Sequence, residues 1–264
     1  MAFVPLAGVR LMSDQQQEDG NKPADEMREG VEGSSQPRQE TEPADETLPA
    51  GEDGGPVLIL ASASPRRLAL LEQVGLKPDL LTPVDIDETP RKRELPRDYV
   101  RRMAFEKLEA AKNLPQVKGI YAPRYLLAAD TTVAVGRRIL GKVEEPEEAR
   151  EHLHLLSGRS HRVYTAICLL TPQGRLRRKL VETKVRFKRL SREEVEAYIA
   201  SNEWRGKAGA YALQGLAAAF VRQLNGSCSG VIGLPVHEVV QMLAGNGFPV
   251  HTRWLLKEPP PPLL

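Results

Sequence analysis

Few folds can accommodate the stretch from Val57 to Gly75. Val57 to Ala61 is an unbroken apolar run with the length and bulk of a buried strand. From Leu68 the spacing changes, and Leu68, Leu70, Leu71 and Val74 follow one helical face. Between them Ser64 stands where an N-cap belongs, Pro65 at the first helical position, and Gly75 just past the end. The pattern predicts strand, short loop, helix. Such a unit aims unpaired backbone N–H groups at the carboxyl end of a strand, where anions bind. Arg66 and Arg67 add two guanidinium forks at the same point, a geometry that matches phosphate oxygens.

The rest of the body alternates strands and helices, then turns to hairpins. Pro78 to Val84 reads as a short strand that leads to Asp87 and Glu88. A helix is expected from about Arg97 to Lys112, with Val100, Met103, Ala104, Leu108 and Ala111 on its core stripe and Arg101, Glu106, Lys107 and Glu109 off it. Tyr125 to Ala129 reads as a buried strand ending on Asp130. A hairpin follows over Thr131 to Leu140, a helix over Pro146 to Leu156, and two longer strands over His161 to Leu170 and Leu176 to Phe187. Ser191 and Glu194 form a capping box for another helix. Strands near Ala218 to Leu224 and Gly230 to Ile232 and a helix from Pro235 to about Ala244 complete the body. The expected fold is one α/β domain with a central mixed sheet flanked by helices.

Charge divides the chain unevenly. Residues 1–55 hold 13 Asp and Glu against 4 Lys and Arg, few large apolar residues after Met12, and many polar ones, so this arm reads as a disordered extension. Residues 56–250 form the expected domain, and residues 251–264, ending in four prolines and two leucines, the expected loose tail. Since the formal net charge is +2, the body after the arm is strongly basic, which suits an anionic partner. No run is apolar enough to span a bilayer and the first dozen residues lack the build of a signal peptide, so no membrane partner and a cytoplasmic location are expected. Cys168, in an apolar run, and Cys228, in a Gly/Ser loop, form no disulfide framework. Aromatics are only 5% and are not interleaved with the basic residues, which disfavours nucleic acid.

Asp130, placed at a strand end, is the outstanding candidate for chemistry: a carboxylate there can take a proton from water or hold a divalent cation. Taken alone, an Asp-Thr pair is as well explained by a capped turn. Its company matters more: Glu88, Lys107, Lys142 and Lys207 also fall near expected element ends, and two acids with several cations suit hydrolysis of a charged polyphosphate. Gly136 to Lys142 has most of the spacing of a P-loop, but Val143 replaces the hydroxyl residue, and the local pattern is a hairpin. The five histidines show no zinc spacing; His152 and His154 are two apart on a helix and face different ways.

In order along the chain stand Ala61-Ser-Ala-Ser-Pro-Arg-Arg67, Asp87-Glu88, Ala104-Phe-Glu-Lys107, Ala129-Asp-Thr131, Leu140-Gly-Lys142, Leu156-Ser-Gly-Arg-Ser-His161, Lys207-Ala-Gly-Ala-Tyr-Ala-Leu-Gln-Gly215 and Val231-Ile-Gly-Leu-Pro235. From about Leu58 to about Leu243 this set resembles the Maf, or septum-formation, family of nucleoside triphosphate pyrophosphatases. The resemblance implies an elongated α/β fold with a deep cleft, often dimeric. It also implies cleavage between the α and β phosphates with a divalent cation, Mg²⁺ or Mn²⁺, and its name suggests a role in division arrest.

Carried over by motif, Asp130 is the expected proton acceptor, and Arg66 and Arg67 the triphosphate binders. Glu88, Lys107 and Lys142 are the expected polar lining of the cleft. Thr131 and Gln214 match the positions that mark the branch acting on dTTP and UTP, and a glutamine amide can pair with a pyrimidine imide edge. The alternatives are the branch acting on 7-methyl-GTP and a non-catalytic nucleotide sensor. Two features depart from the family pattern: Val143 replaces the usual proline after Gly-Lys, and the acidic arm is extra, with Met12 offering a second start.

Overall fold

The computed structural model describes residues 55–256, except Tyr121 and the side chain of Leu256. Apart from Gly55, the expected acidic arm lies outside the described residues, as do residues 257–264. No helix among the described residues is long and apolar enough to cross a membrane.

Strand β1 (Val57–Ala61) and helix α1 (Pro65–Gln73) form as predicted, and Gly75, at φ 70°, reverses the chain past the helix. β2 shrinks to Leu80–Leu81, because Pro78 and Pro83 bring no N–H to a ladder. Helix α2 (Pro96–Lys112) and the short α3 (Pro115–Lys118) lead to β3 (Arg124–Val135), and Gly136 at φ 59° turns the chain into β4 (Arg138–Leu140). Next come α4 (Pro146–Leu156), β5 (Ser160–Leu170), β6 (Leu176–Phe187) and α5 (Arg192–Ala200). The capping box opens α5, with the Glu194 N–H donating to Ser191 Oγ at 3.2 Å and the Ser191 N–H to Glu194 Oε2 at 3.0 Å. A 3₁₀ turn (Leu216–Phe220), β7 (Val221–Asn225), α6 (Cys228–Ile232), α7 (Val236–Ala244) and α8 (Val250–Leu256) complete the described chain.

Four expectations are corrected. Gly230 to Ile232 is the end of helix α6 and not a strand, since Ser227 Oγ caps the Gly230 N–H at 2.9 Å and starts a helical turn; Cys228 therefore opens a helix. The expected strand from Ala218 begins only at Val221. Residues 251–256 of the expected tail are helical, and Arg253 donates to the Lys77 and Pro56 carbonyls and Trp254 Nε1 to that of Val74. Lys107 lies on the buried stripe of α2, not off it and not near a helix end: the stripe runs Val100, Met103, Ala104, Lys107, Leu108, Ala111.

The strands form one mixed sheet in the order β2-β1-β3-β5-β6-β7, with β4 beside β3. β1 is parallel to both neighbours and every other pairing is antiparallel. Both faces of the central strands are covered. Val57, Ile59 and Ala61 of β1, with Leu126 and Ala128 of β3, meet Val100, Ala104, Leu108 and Ala111 of α2. Leu58, Leu60, Leu127 and Ala129 meet Leu70 and Leu71 of α1 and Val239 and Leu243 of α7. This double cover explains why β1 and β3 read as continuous apolar runs. A third cluster, around Val163, Val185, Phe187 and the fully buried Trp204, joins α4 and α5 to the far end of the sheet. Each large side chain buried there contributes on the order of 1.5–3 kcal/mol.

Candidate active site

The decisive local feature is a gap in the sheet. β1 pairs with β3 only as far as Ala61 opposite Ala128, and β4 takes up that edge of β3 only at Val133. Residues 129–132 thus lack a strand on that side. Asp130 is therefore not at the end of its own strand, as the sequence suggested; β3 runs on to Val135, and the strand that ends beside Asp130 is β1. Since side chains alternate along a strand, Asp130 faces the α2 side and Thr131 the opposite side.

On the α2 side, charges are paired in series. Lys107 Nζ lies 2.6 Å from Asp130 Oδ1 and 2.7 Å from Glu88 Oε1, and Glu88 Oε2 lies 2.7 Å from Lys142 Nζ. Lys107 and Asp130 are buried, so each neutralises a charge that would be costly alone. Burial pushes the Glu88 carboxyl up, but hydrogen bonds and charge from Lys107 and Lys142 outweigh it and hold the group below its ordinary range. The loop carrying Glu88 is tied to α2: Tyr99 Oη donates to the Glu88 carbonyl at 2.9 Å, and Arg102 donates to the Thr89 carbonyl and, twice at 2.7 Å, to Glu94.

At the start of α1 the two arginines do different work. Arg67 Nε donates to the Gly233 carbonyl at 2.9 Å and its Nη1 to Ser62 Oγ at 3.2 Å, so this residue braces the turn between α6 and α7. Arg66 makes no hydrogen bond or ion pair among the described residues. Burial lowers the pKa of both, and for Arg67 the nearby Asp130 works against that lowering. Thr131 Oγ1 also reaches the Gly233 carbonyl, at 3.3 Å, and lies 3.1 Å from Thr165 Oγ1. Arg67 and Thr131, both expected to touch substrate, thus share one backbone acceptor.

The other wall is the segment 206–215, which holds no helix or strand. Lys142 bridges to Ala208, and Gly209, at φ 71°, lies so close to Val133 that a Cβ would stand 2.8 Å from its side chain. The Gly215 N–H donates to the Ala212 carbonyl at 3.1 Å, closing a turn with Leu213 and Gln214 at its centre. Side chains hold this turn at three points: His161 Nε2 lies 2.9 Å from Tyr211 Oη, the Ala212 N–H donates to Tyr198 Oη at 3.1 Å, and the Leu216 N–H donates to Glu203 Oε2 at 2.8 Å. The exposed Gln214 side chain has no hydrogen-bond partner among the described residues.

All eight residues singled out in the sequence, Asp130, Arg66, Arg67, Glu88, Lys107, Thr131, Lys142 and Gln214, line one cavity of about 470 Å³. Lys207 lines it too, its pKa lowered by burial and by Arg66. Sequence reasoning missed Ser62, Tyr211 and Gly233 as lining residues. All three fall inside motifs quoted above, Tyr211 as the aromatic of the glycine-punctuated stretch Lys207 to Gly215, but the placement of Ser62 and Gly233 beside the site depends on chain contacts distant in sequence. Five cations and the carboxylates of Asp85, Glu88 and Asp130 face the cavity, a balance suited to a polyphosphate. Among the described residues, no group of three or more His, Cys, Asp and Glu could hold a metal ion. Asp130 and Glu88 still offer hard oxygens of the kind that hold Mg²⁺ or Mn²⁺ together with substrate phosphates.

A family model described as "Maf-like protein" matches residues 57–246. A protein of Mesorhizobium japonicum (strain LMG 29417 / CECT 9101 / MAFF 303099) named dTTP/UTP pyrophosphatase is 57% identical over 202 residues, covering 76% of this chain and 97% of that one. One of Chelativorans sp. (strain BNC1) with the same name is 61% identical over 197 residues, covering 75% and 94%. Among solved structures, a HAM1 protein from Coxiella burnetii aligns at 18% identity with a TM-score of 0.37, covering 52% of this chain and 75% of that one, a likeness too slight to build on.

Proposed function

Because the chain belongs to the Maf family, we propose that it is a nucleoside triphosphate pyrophosphatase that hydrolyses dTTP and UTP to the nucleoside monophosphate and pyrophosphate. Residues 56–250 are its catalytic domain. The observation that carries this reading is the gap at residues 129–132, which exposes Asp130, fixed by Lys107, to a cavity whose other side carries the unpaired Arg66 and Gln214.

Asp130 Oδ1 is committed to Lys107, whereas Oδ2 has no hydrogen-bond partner among the described residues and is the oxygen free to receive a proton. Water held there attacks the α-phosphorus, its proton passes to Asp130, and the bond from that phosphorus to the α–β bridging oxygen breaks, so that pyrophosphate leaves with the bonding electrons. Arg66, Lys142 and Lys207 neutralise charge on the phosphate chain. Together with the substrate phosphates, Glu88 would hold a divalent cation, which when bound supplies further neutralisation of the phosphoryl oxygens. Gln214 presents an amide donor and acceptor to the imide edge of uracil or thymine, and the same pairing excludes neither base. The names of the relatives favour this pyrimidine branch over the 7-methyl-GTP one.

The test is pyrophosphate release from dTTP, UTP, CTP, GTP and 7-methyl-GTP with Mg²⁺ or Mn²⁺, in wild type and Gln214→Ala. dTTP and UTP should lead, and the variant should lose roughly tenfold of that preference, the value of one or two hydrogen bonds. A lead by 7-methyl-GTP would overturn the substrate assignment, and no turnover of any nucleotide would overturn the reaction.

A further inference from the structure

We infer that His161 is a positioning residue for nucleotide recognition, which holds the turn bearing Gln214 against the sheet through Tyr211; the inference rests on the pyrophosphatase reading above.

His161 is 2% exposed in β5, with its ring edge-on to Phe187 at 5.0 Å and to Tyr211 at 5.5 Å. Those aromatic neighbours ask for no polar atom. The imidazole instead leaves Nδ1 buried with no hydrogen-bond partner among the described residues, a loss of stability that packing does not explain. What it supplies and phenylalanine cannot is its one polar contact, Nε2 to Tyr211 Oη at 2.9 Å. That contact spans 50 residues of sequence and ties the cavity wall to a strand of the central sheet.

Tyr211 lies three residues before Gln214, directly after two residues in left-handed backbone, Gly209 at φ 71° and Ala210 at φ 58°. Ala210 carries a Cβ, so its conformation has to be imposed by its surroundings. The tie from Tyr211 to His161, with that from the Ala212 N–H to Tyr198, fixes the entry to the turn, and the Gly215 N–H to the Ala212 carbonyl closes it. Gln214 at the centre then projects in one direction without help from its own side chain. Burial pushes His161 down to about 4 and the Tyr211 phenol above its usual range, so the pair stays neutral through the conditions of an ordinary assay. The tie is a fixed brace and takes no part in proton transfer.

Steady-state pyrophosphate release from dTTP, UTP and CTP tests this in Tyr211→Phe, His161→Phe, His161→Gln and the double phenylalanine variant, each with a melting temperature. Tyr211→Phe and His161→Phe should each raise KM for dTTP and UTP roughly three- to tenfold, with kcat and its pH profile unchanged and the preference over CTP reduced in proportion. The double variant should be no worse than the poorer single, because both remove the same bond, and should melt no lower than either single, because removing both partners leaves neither polar atom buried alone and removing the Tyr211 hydroxyl makes room for the larger ring at 161. His161→Gln, whose amide reaches where Nε2 stood, should recover most of the loss. Unchanged KM and preference in a Tyr211→Phe protein would overturn the inference while the wild type remains a pyrophosphatase. A fall in kcat that tracks the melting temperature would overturn it too, in favour of a merely structural role. No release by the wild type would instead remove the reading on which it rests.

Discussion

The two walls of the cavity are built by opposite means. On the α2 side, Asp130, Lys107, Glu88 and Lys142 are charged, and Asp130 and Lys107 stand on regular elements and are locked by ion pairs of 2.6 and 2.7 Å. On the other side, segment 206–215 is irregular, and it and the adjoining Leu216 are held by contacts from His161, Tyr198 and Glu203. Charges buried on a helix and a strand resist displacement, because moving one leaves the other unpaired. An irregular turn held at a few points can be adjusted one contact at a time. On the proposed reading the difference is a division of labour: the charged wall would serve chemistry that has to be the same for any nucleotide, and the braced turn a choice among bases.

The largest effect expected from this contrast is at Asp130. Asp130→Asn keeps the shape but removes the proposed proton acceptor, so kcat should fall roughly 10²- to 10⁴-fold with KM little changed, in steady-state assays. An equal loss from Gln214→Ala would erase the distinction between the walls. Next is Lys107→Met, which keeps the stem packed on α2 but leaves the buried Asp130 without its ion-pair partner and Glu88 with Lys142 alone. Chemical denaturation should show a loss of about 3–5 kcal/mol, the range for breaking a buried pair. A loss below about 1 kcal/mol would mean that the charged wall is not locked.

The smallest effect separates the walls by pH. The pKa of His161 is depressed in the fold, so the native state resists protonation that the unfolded chain accepts. Above about 6.5, the unfolded value, titration of this ring adds nothing to the balance, and as pH falls toward about 4 protonation of the unfolded chain takes stability from the fold. The amount is on the order of 3 kcal/mol. Denaturation curves between pH 7 and 4 should therefore flatten in His161→Phe. Glu88, also depressed, contributes above the ordinary glutamate range and loses that contribution as pH falls through its lower folded value, so an acid-side slope should survive in the His161 variant and weaken in Glu88→Gln.

The strand-loop-helix at Val57–Gln73, the long antiparallel strands β5 and β6, the capping box at Ser191 and the identity of the eight cavity residues were legible in the sequence, because each rests on periodicity, a local cap or a short motif. Lys107 was half legible: its register at i+3 and i+4 from Ala104 and Met103 put it on the buried face, but its charge argued otherwise until Asp130 and Glu88 were seen beside it. The helix over Cys228–Ile232 was misread because a five-residue run is too short to show a period, and a serine cap decided it. Only the tertiary structure decided that Asp130 faces an opening, that Arg67 braces Gly233 while the Arg66 side chain has no partner among the described residues, and that His161 reaches Tyr211. Local propensity acts over a few residues, whereas these facts depend on where β1 stops beside β3 and on which side chains meet across 50 to 166 positions of chain.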